Sequence, residues 1–282
     1  MMSQPRATSQ IAHSNALVRR WRNLMTILAG LIAIAYAWLA WSASSGQGGP
    51  ALDRVWADVQ ARNSLRVAVD VGFRPFVDVI DDELTGYDVE LTRAIAARLG
   101  VRAEFVPTGY DALYDVLVSG RADLVASALP YAPEQGFRAR FSSIYFDGGQ
   151  MLVVTDSDSI SGTQDLAGRR VGVALGSDAD ALARRLAQSI PTLEVRSAYD
   201  EPAEALADLR QGRLDAAITD HVAALTAVQQ APGLRIAAAL SSDPYVLAMP
   251  RAAFQLEAEV NRALEALRAE GFLAALNERW FR

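Results

Sequence analysis

The sequence has no cysteine, no lysine and only two histidines, His13 and His221. Without cysteine there is no disulfide framework, no thiolate metal site, no cysteine nucleophile and no cysteine on which a lipid anchor could be built. Without lysine there is neither Schiff-base chemistry nor a phosphate-loop lysine. Two histidines do not make a histidine-rich metal site, so no metal and no other cofactor is expected. The Gly-x-Ser-x-Gly elbow, the His-Glu-x-x-His pair and the glycine-rich phosphate loop are missing too, which leaves no marked catalytic constellation. Neither a repeat of 20–50 residues nor an internal low-complexity segment interrupts the chain.

What is present is a chain of 282 residues, 51% hydrophobic, which excludes a disordered or fibrous protein and suffices for one large domain or two moderate ones. All 27 basic residues are arginine. Residues 1–44 carry Arg6, Arg19, Arg20 and Arg22 and no acid, so +4 lies there and −10 in the remainder of a chain whose total is −6. An acidic body argues against a nucleic-acid partner, which needs a basic face.

Leu24 to Trp41 is an uncharged, mostly apolar run of 18 residues preceded by Arg19, Arg20 and Arg22. As a helix it reaches roughly 27 Å, close to the hydrocarbon thickness of a bilayer. Two readings stand: an N-terminal transmembrane anchor, or a signal cleaved near Ser42-Ala43-Ser44. Trp38 and Trp41 fit interfacial positions, and the preceding arginines place residues 1–23 in the cytoplasm and everything after the span outside it. Residues 42–62 follow as a Ser/Gly-rich tether and a short leading helix with Leu52, Val55, Trp56 and Val59 at helical spacing.

From residue 64 onward, short apolar runs alternate with amphipathic segments. Strands are predicted at 65–69, 101–106 and 123–126, with helices at 88–99 and 110–118 between them. The order then restarts with strands at 170–175, 193–196, 214–218 and 234–238 and helices at 179–188, 201–210 and 221–229. Two helices close the chain over 251–281. Alternation of this kind implies an α/β protein with mostly parallel sheets covered by helices. The second series is bracketed by the extended segments Gln150–Val154 and Tyr245–Met249. If both run between lobes, residues 63–150 with 248–282 form one lobe and 151–247 a second, joined by two hinge strands. Ligands of open parallel sheets bind at the carboxyl ends of strands, and two such ends across a hinge make a closing trap.

Several segments carry a family resemblance. They are Leu65-Arg66-Val67-Ala68-Val69-Asp70 with Phe73-Arg74-Pro75-Phe76, Leu84-Thr85-Gly86-Tyr87-Asp88-Val89-Glu90-Leu91, and Tyr110-Asp111-Ala112-Leu113. Gly120-Arg121-Ala122-Asp123-Leu124-Val125 and Pro133-Glu134 before Phe141-Ser142 continue the series. Asp165-Leu166-Ala167-Gly168-Arg169-Arg170-Val171-Gly172-Val173, Leu175-Gly176-Ser177, Gly212-Arg213-Leu214-Asp215-Ala216, Asp220 and Gly271-Phe272-Leu273 through Trp280-Phe281 complete it. In this order they resemble the extracytoplasmic solute-binding proteins of family 3, which serve polar amino-acid ABC transporters. The resemblance covers about residues 62–282. It implies a periplasmic binding protein type II fold, an ABC permease as partner, an amino acid or related small amine as ligand, and a place on the extracytoplasmic side of a bacterial membrane. It implies a binding protein and not an enzyme. A membrane-tethered ligand sensor and an enzyme like the cyclohexadienyl dehydratases, which resemble the same family, are the alternatives.

By the same resemblance, Asp220 matches the carboxylate that binds the ligand's ammonium, although a helix N-cap is an equal use for it. Phe73 and Tyr110 match the aromatic pair that sandwiches the ligand side chain, the alternative being ordinary core aromatics. Ser177 can hold a ligand carboxylate at a strand-to-helix turn or simply cap the helix, while Asp178 beside it opposes an anion. Ser127 and Ala128 complete the first lobe's strand end. Asp70 and Asp88 are read as structural, closing a turn and capping the helix at 88. The departure from the family lies at Gln135, where the motif places an arginine that grips the ligand carboxylate, and at Pro130, where it has a threonine or serine. Glutamine cannot supply a bidentate ionic clamp. Arg74 or Arg138 could replace the lost cation, the ligand could lack the carboxylate, or the site could be altered beyond ordinary binding.

Overall fold

A computed structural model describes residues 53–230 and 232–281. The expected cytoplasmic segment, membrane span and most of the tether lie outside the described residues. Among the described residues, no helix is long and apolar enough to cross a membrane.

The body opens with α1 (Arg54–Arg62), and Asp53 starts it. One oxygen of this buried carboxylate accepts the Trp56 N–H at 3.1 Å, while the other accepts the N–H groups of Gln255 and Leu256 at 2.7 and 3.1 Å. A single side chain thus satisfies first-turn donors of two helices far apart in sequence. The first lobe continues with β1 (Ser64–Val69), the hairpin β2 (Asp78–Ile80) and β3 (Glu83–Thr85), α2 (Tyr87–Arg98), β4 (Arg102–Pro107), α3 (Leu113–Val118), β5 (Leu124–Val125) and β6 (Ala139–Phe141). The chain then passes through β7 (Phe146–Asp147) into β8 (Gln150–Thr155), β9 (Arg170–Ala174), α4 (Asp178–Ser189), β10 (Glu194–Tyr199), α5 (Pro202–Arg210), β11 (Ala216–Asp220), α6 (His221–Gln230) and β12 (Leu234–Ala239). It returns through β13 (Pro244–Tyr245) to β14 (Ala248–Pro250), α7 (Phe254–Ala269) and α8 (Phe272–Trp280).

Two five-stranded sheets result, ordered β4-β1-β5-β14-β6 and β10-β9-β11-β8-β12. In each, the first three strands are parallel and the last two antiparallel to their neighbours. The sheets are therefore mixed, not mostly parallel as the alternation suggested. The strand arriving from the opposite lobe, β8 in one sheet and β14 in the other, enters against the parallel set. β1, β9 and β11 are buried almost throughout, as expected where helices cover both faces.

The two lobes repeat one locking device. Asp123, buried just before β5, accepts the Arg66 backbone N–H at 2.9 Å, Arg66 Nη2 at 2.7 Å and Arg62 Nη2 at 2.6 Å. Asp215, just before β11, accepts the Arg170 backbone N–H at 2.7 Å and its Nη2 at 2.8 Å. Burial and the guanidinium oppose each other at Asp215, and the hydrogen-bonded Arg170 wins, holding the carboxyl below its ordinary range. Each Gly-Arg-x-Asp motif thereby pins the third strand in its sheet's order, β5 or β11, to the second, β1 or β9.

The lobe crossing lies a few residues before the first expected segment and overlaps the start of the second at Tyr245. Gln150–Thr155 is an interior strand of the second sheet and Ala248–Pro250 belongs to the first. The passage is made by β7 and β13, paired antiparallel with Tyr245 opposite Phe146 and Pro244 opposite Asp147. Asp147 ties this ribbon off, accepting the Asp243 N–H at 2.7 Å, the Gly149 N–H at 2.9 Å and the Ser242 hydroxyl at 2.6 Å. Burial raises its pKa, but these donors prevail and the carboxyl stays below its ordinary value. Gly148 and Gly149 leave no room for a side chain: a Cβ would sit 2.5 Å from the Tyr245 hydroxyl at the first and 2.2 Å from the Ser241 carbonyl at the second.

Candidate functional site

Residues at the carboxyl ends of β1, β4, β5, β9 and β11 supply most of the candidate ligand groups, as the strand-end rule requires. In the second lobe, Ser177, Asp178 and Asp220 line one cavity of about 160 Å³ together with Gln150, Ala174 and Thr219. Asp220 ends β11. Its Oδ1 accepts the Ala223 N–H at 2.9 Å, and its Oδ2 has only a long contact of 3.4 Å from the Thr219 hydroxyl. The capping and ligand readings therefore use different oxygens of the same carboxylate. Ser177 is more fully committed. Its hydroxyl donates to the Ala174 carbonyl at 2.7 Å and accepts the Asp180 N–H at 3.2 Å as the N-cap of α4. A larger hollow of about 370 Å³ lies between α5 and α6, with Asp220 at its edge. It sits among helix side chains such as Leu206, Val222 and Thr226 and not at the strand ends.

In the first lobe, Phe73 and Tyr110 are 47% and 51% exposed, so neither is a core aromatic. Phe73 stacks on buried Phe76 at 5.9 Å, and Phe76 in turn packs edge-on against Phe146 and Tyr245 of the crossing ribbon. The exposed ring is thus braced from behind by the hinge. Burial and then the carboxylates of Asp243, Asp70 and Asp111 raise the Tyr110 pKa. Tyr245 is pushed up to about 12 by burial, then by Asp243, Asp220 and Tyr110. One hinge hydroxyl therefore feels groups from both lobes.

The remaining candidates are placed as follows. Ser127 is buried and accepts the Asp70 N–H at 2.9 Å, which leaves it inside the strand end. Ala128, at φ +42°, donates its N–H to Asp88 Oδ2 at 2.6 Å. Pro130 forms a β-bridge with Tyr245. Gln135 ends a 3₁₀ turn (Pro133–Gln135), with Oε1 buried and without a hydrogen-bond partner. Arg74 pairs with Asp78 at 2.6 Å and is 75% exposed, while Arg138 pairs with Asp115 and lies over the Tyr114 ring. Neither arginine is shown gripping the place vacated at Gln135.

Two structural expectations change. Gly86, not Asp88, occupies the N-cap of α2, and Asp88 lies one residue inside the helix with no exposure at all. The Asp70 carboxylate accepts no hydrogen bond among the described residues; its turn is closed by the Gly72 N–H on the Val77 carbonyl at 3.2 Å. Gln150 and Thr219 line the cavity, and Asp243 acts on Tyr110, without having been anticipated. They come from strand termini and the hinge, where no local pattern marks a ligand group.

The model for bacterial extracellular solute-binding proteins, family 3, matches residues 65–282. The chain belongs to that family. The L-cystine-binding protein TcyJ of Escherichia coli K12 is 33% identical over 228 residues, covering 79% of this chain and 84% of the relative. The putative amino-acid ABC transporter-binding protein PatH of Vibrio harveyi is 30% identical, covering 80% and 91%. Among solved structures, the L-cystine solute receptor of Neisseria gonorrhoeae in its unliganded open conformation superposes with a TM-score of 0.71 at 28% identity, covering 83% of this chain and 97% of that one. As a family 3 solute-binding protein, this chain has the two-lobed α/β fold of the periplasmic binding proteins.

Proposed function

We propose that this chain is the extracytoplasmic substrate-binding component of an ABC transporter, closing its lobes on an amino acid or related small amine. The observation that carries the reading is Asp220, which lines the cavity at the strand ends: one oxygen caps the helix and the other has only a long contact from Thr219. Phe73 and Tyr110 supply exposed aromatic faces in the other lobe, and faces of that kind mark a binding surface. A ligand that binds only the folded, closed state stabilises it by about 2.7 kcal/mol at a hundred times Kd. For a body of this size that corresponds to a rise in melting temperature of roughly 5–10 °C. A thermal-shift screen of amino acids and small amines on the full chain is expected to find such a rise. A flat response across both classes contradicts the reading. Prephenate is included, and its turnover would instead support a dehydratase.

We also assign residues 24–41 to an uncleaved anchor that tethers the body to the membrane, with an ABC permease as partner. The 18-residue run and the arginines before it support the tether. N-terminal sequencing of protein from native membranes is expected to return the chain from its start. A mature N-terminus near residue 45 would favour the cleaved signal.

A further inference from the structure

We propose that the ligand of this cleft is a dication without a carboxylate, a diamine or guanidino-amine carrying two cationic nitrogens on an aliphatic stem. This rests on the reading of the cleft as the ligand site and narrows it to one chemical class.

The charged groups that line the strand-end cavity are carboxylates. Asp178 and Asp220 share the strand-end cavity of the second lobe. Gln150 lines the same cavity, and its Oε1 is fully buried with no hydrogen-bond donor. A buried acceptor without a donor is destabilising, and a ligand N–H can supply the missing donor. This orphan is independent of the acidic groups and asks for the same partner. At the hinge, burial and then Asp147 and Asp178 raise the Asp243 pKa. Asp70 and Asp243 both act on Tyr110. Among the described residues, none of Asp70, Asp178, Asp220 and Asp243 joins a salt bridge. Asp178 and Asp220, in one cavity and without a salt-bridge partner, repel each other, and a bound dication relieves them.

Several of the donors that a ligand carboxylate would use are spent. The hydroxyl of Ser177 is bonded within its own turn. The Gly176 N–H donates to Asp180 Oδ2 at 3.0 Å, so the chain's own carboxylate fills that turn. The remaining first-turn N–H groups of α4, on Asp178 and Ala179, have the Asp178 carboxylate beside them. In the first lobe the clamp position is Gln135, Pro130 has no N–H, and Arg74 and Arg138 are paired with Asp78 and Asp115. Phe73 and Tyr110 offer faces to an aliphatic stem or a cationic head. A carboxylated ligand would meet repulsion here, whereas a dication finds Asp178 and Asp220 in the strand-end cavity and aromatic faces on Phe73 and Tyr110.

The test uses matched ligands that differ only in the carboxylate: putrescine against ornithine, cadaverine against lysine, agmatine against arginine. Titration calorimetry on the full chain at neutral pH is expected to show each amine bound at least about tenfold more tightly than its amino acid. Butylamine, with one nitrogen fewer than putrescine, is expected to lose at least about tenfold. Asp178→Asn is expected to weaken the amines, and Gln135→Arg to favour the amino acids. Amino acids bound as tightly as their amines, or more so, would overturn the inference and leave the ligand-binding reading standing. Failure of both classes would overturn both.

Discussion

Replacing Asp220 by asparagine is expected to weaken ligand binding by about a hundredfold while moving the melting temperature of the free protein by less than about 2 °C. The two halves of that result follow from the two oxygens. Asparagine keeps an oxygen that can accept the Ala223 N–H, now 2.9 Å from Asp220 Oδ1, so the cap on α6 survives. What it loses is the charge. A charge-assisted hydrogen bond to an ammonium is worth about 1.5–3 kcal/mol, and the long-range attraction of a carboxylate for a cation adds to it. Asp220→Ala removes cap and charge together, so it should cost about 1 kcal/mol of stability as well as the affinity. Calorimetry and thermal melts on the two variants separate the roles. Unchanged affinity in Asp220→Asn would leave Asp220 a helix cap and nothing more.

Asp88→Asn is expected to raise folding stability by about 2 kcal/mol at pH 8, with the gain shrinking toward pH 4. Asp88 is wholly buried in α2, and burial pushes its pKa up to about 7 against the Ala128 N–H and the neighbouring Tyr145 hydroxyl. Neither its Oδ1 nor that hydroxyl has a hydrogen bond of normal geometry. In the unfolded chain the group titrates near about 3.9. Between those values the native state holds a proton that the unfolded state has released, so stability falls as pH rises through the window and levels off above 7. Asparagine can accept the Ala128 N–H without ionising and escapes that loss. Denaturant unfolding of both proteins from pH 4 to 8 reads the difference in slope. Parallel profiles would mean that Asp88 is ionised in the native state throughout.

The consequence reaches the site because Asp88 holds the end of β5. Ala128 takes φ +42° there and hands the chain to Pro130, which bridges to Tyr245 in the crossing ribbon. A neutral Asp88, which carries an O–H donor as well as an acceptor, and a charged one that only accepts and must be solvated place different demands on the same turn.

The alternation of apolar runs with amphipathic segments was enough to recover most of the two lobes, because strands buried on both faces and helices with one apolar stripe are local patterns. Asp123 and Asp215 were visible as members of two similar motifs, though their shared task emerged only once Arg66 and Arg170 stood beside them. The hairpin at 78–85 and the crossing ribbon were missed. Strands of two or three residues are too short to show a period.

The sequence by itself determined the fold class, the acidic body and the absence of thiol and lysine chemistry. Each of these is a matter of residue identity or local spacing. Only the tertiary structure decided that the crossing ribbon is β7 against β13, that Asp88 is buried while the Asp70 carboxylate accepts no hydrogen bond among the described residues, and that Asp178, Asp220 and Gln150 share one cavity. Burial and proximity come from segments up to a hundred residues apart meeting at strand ends. No local rule of capping or periodicity contains that information.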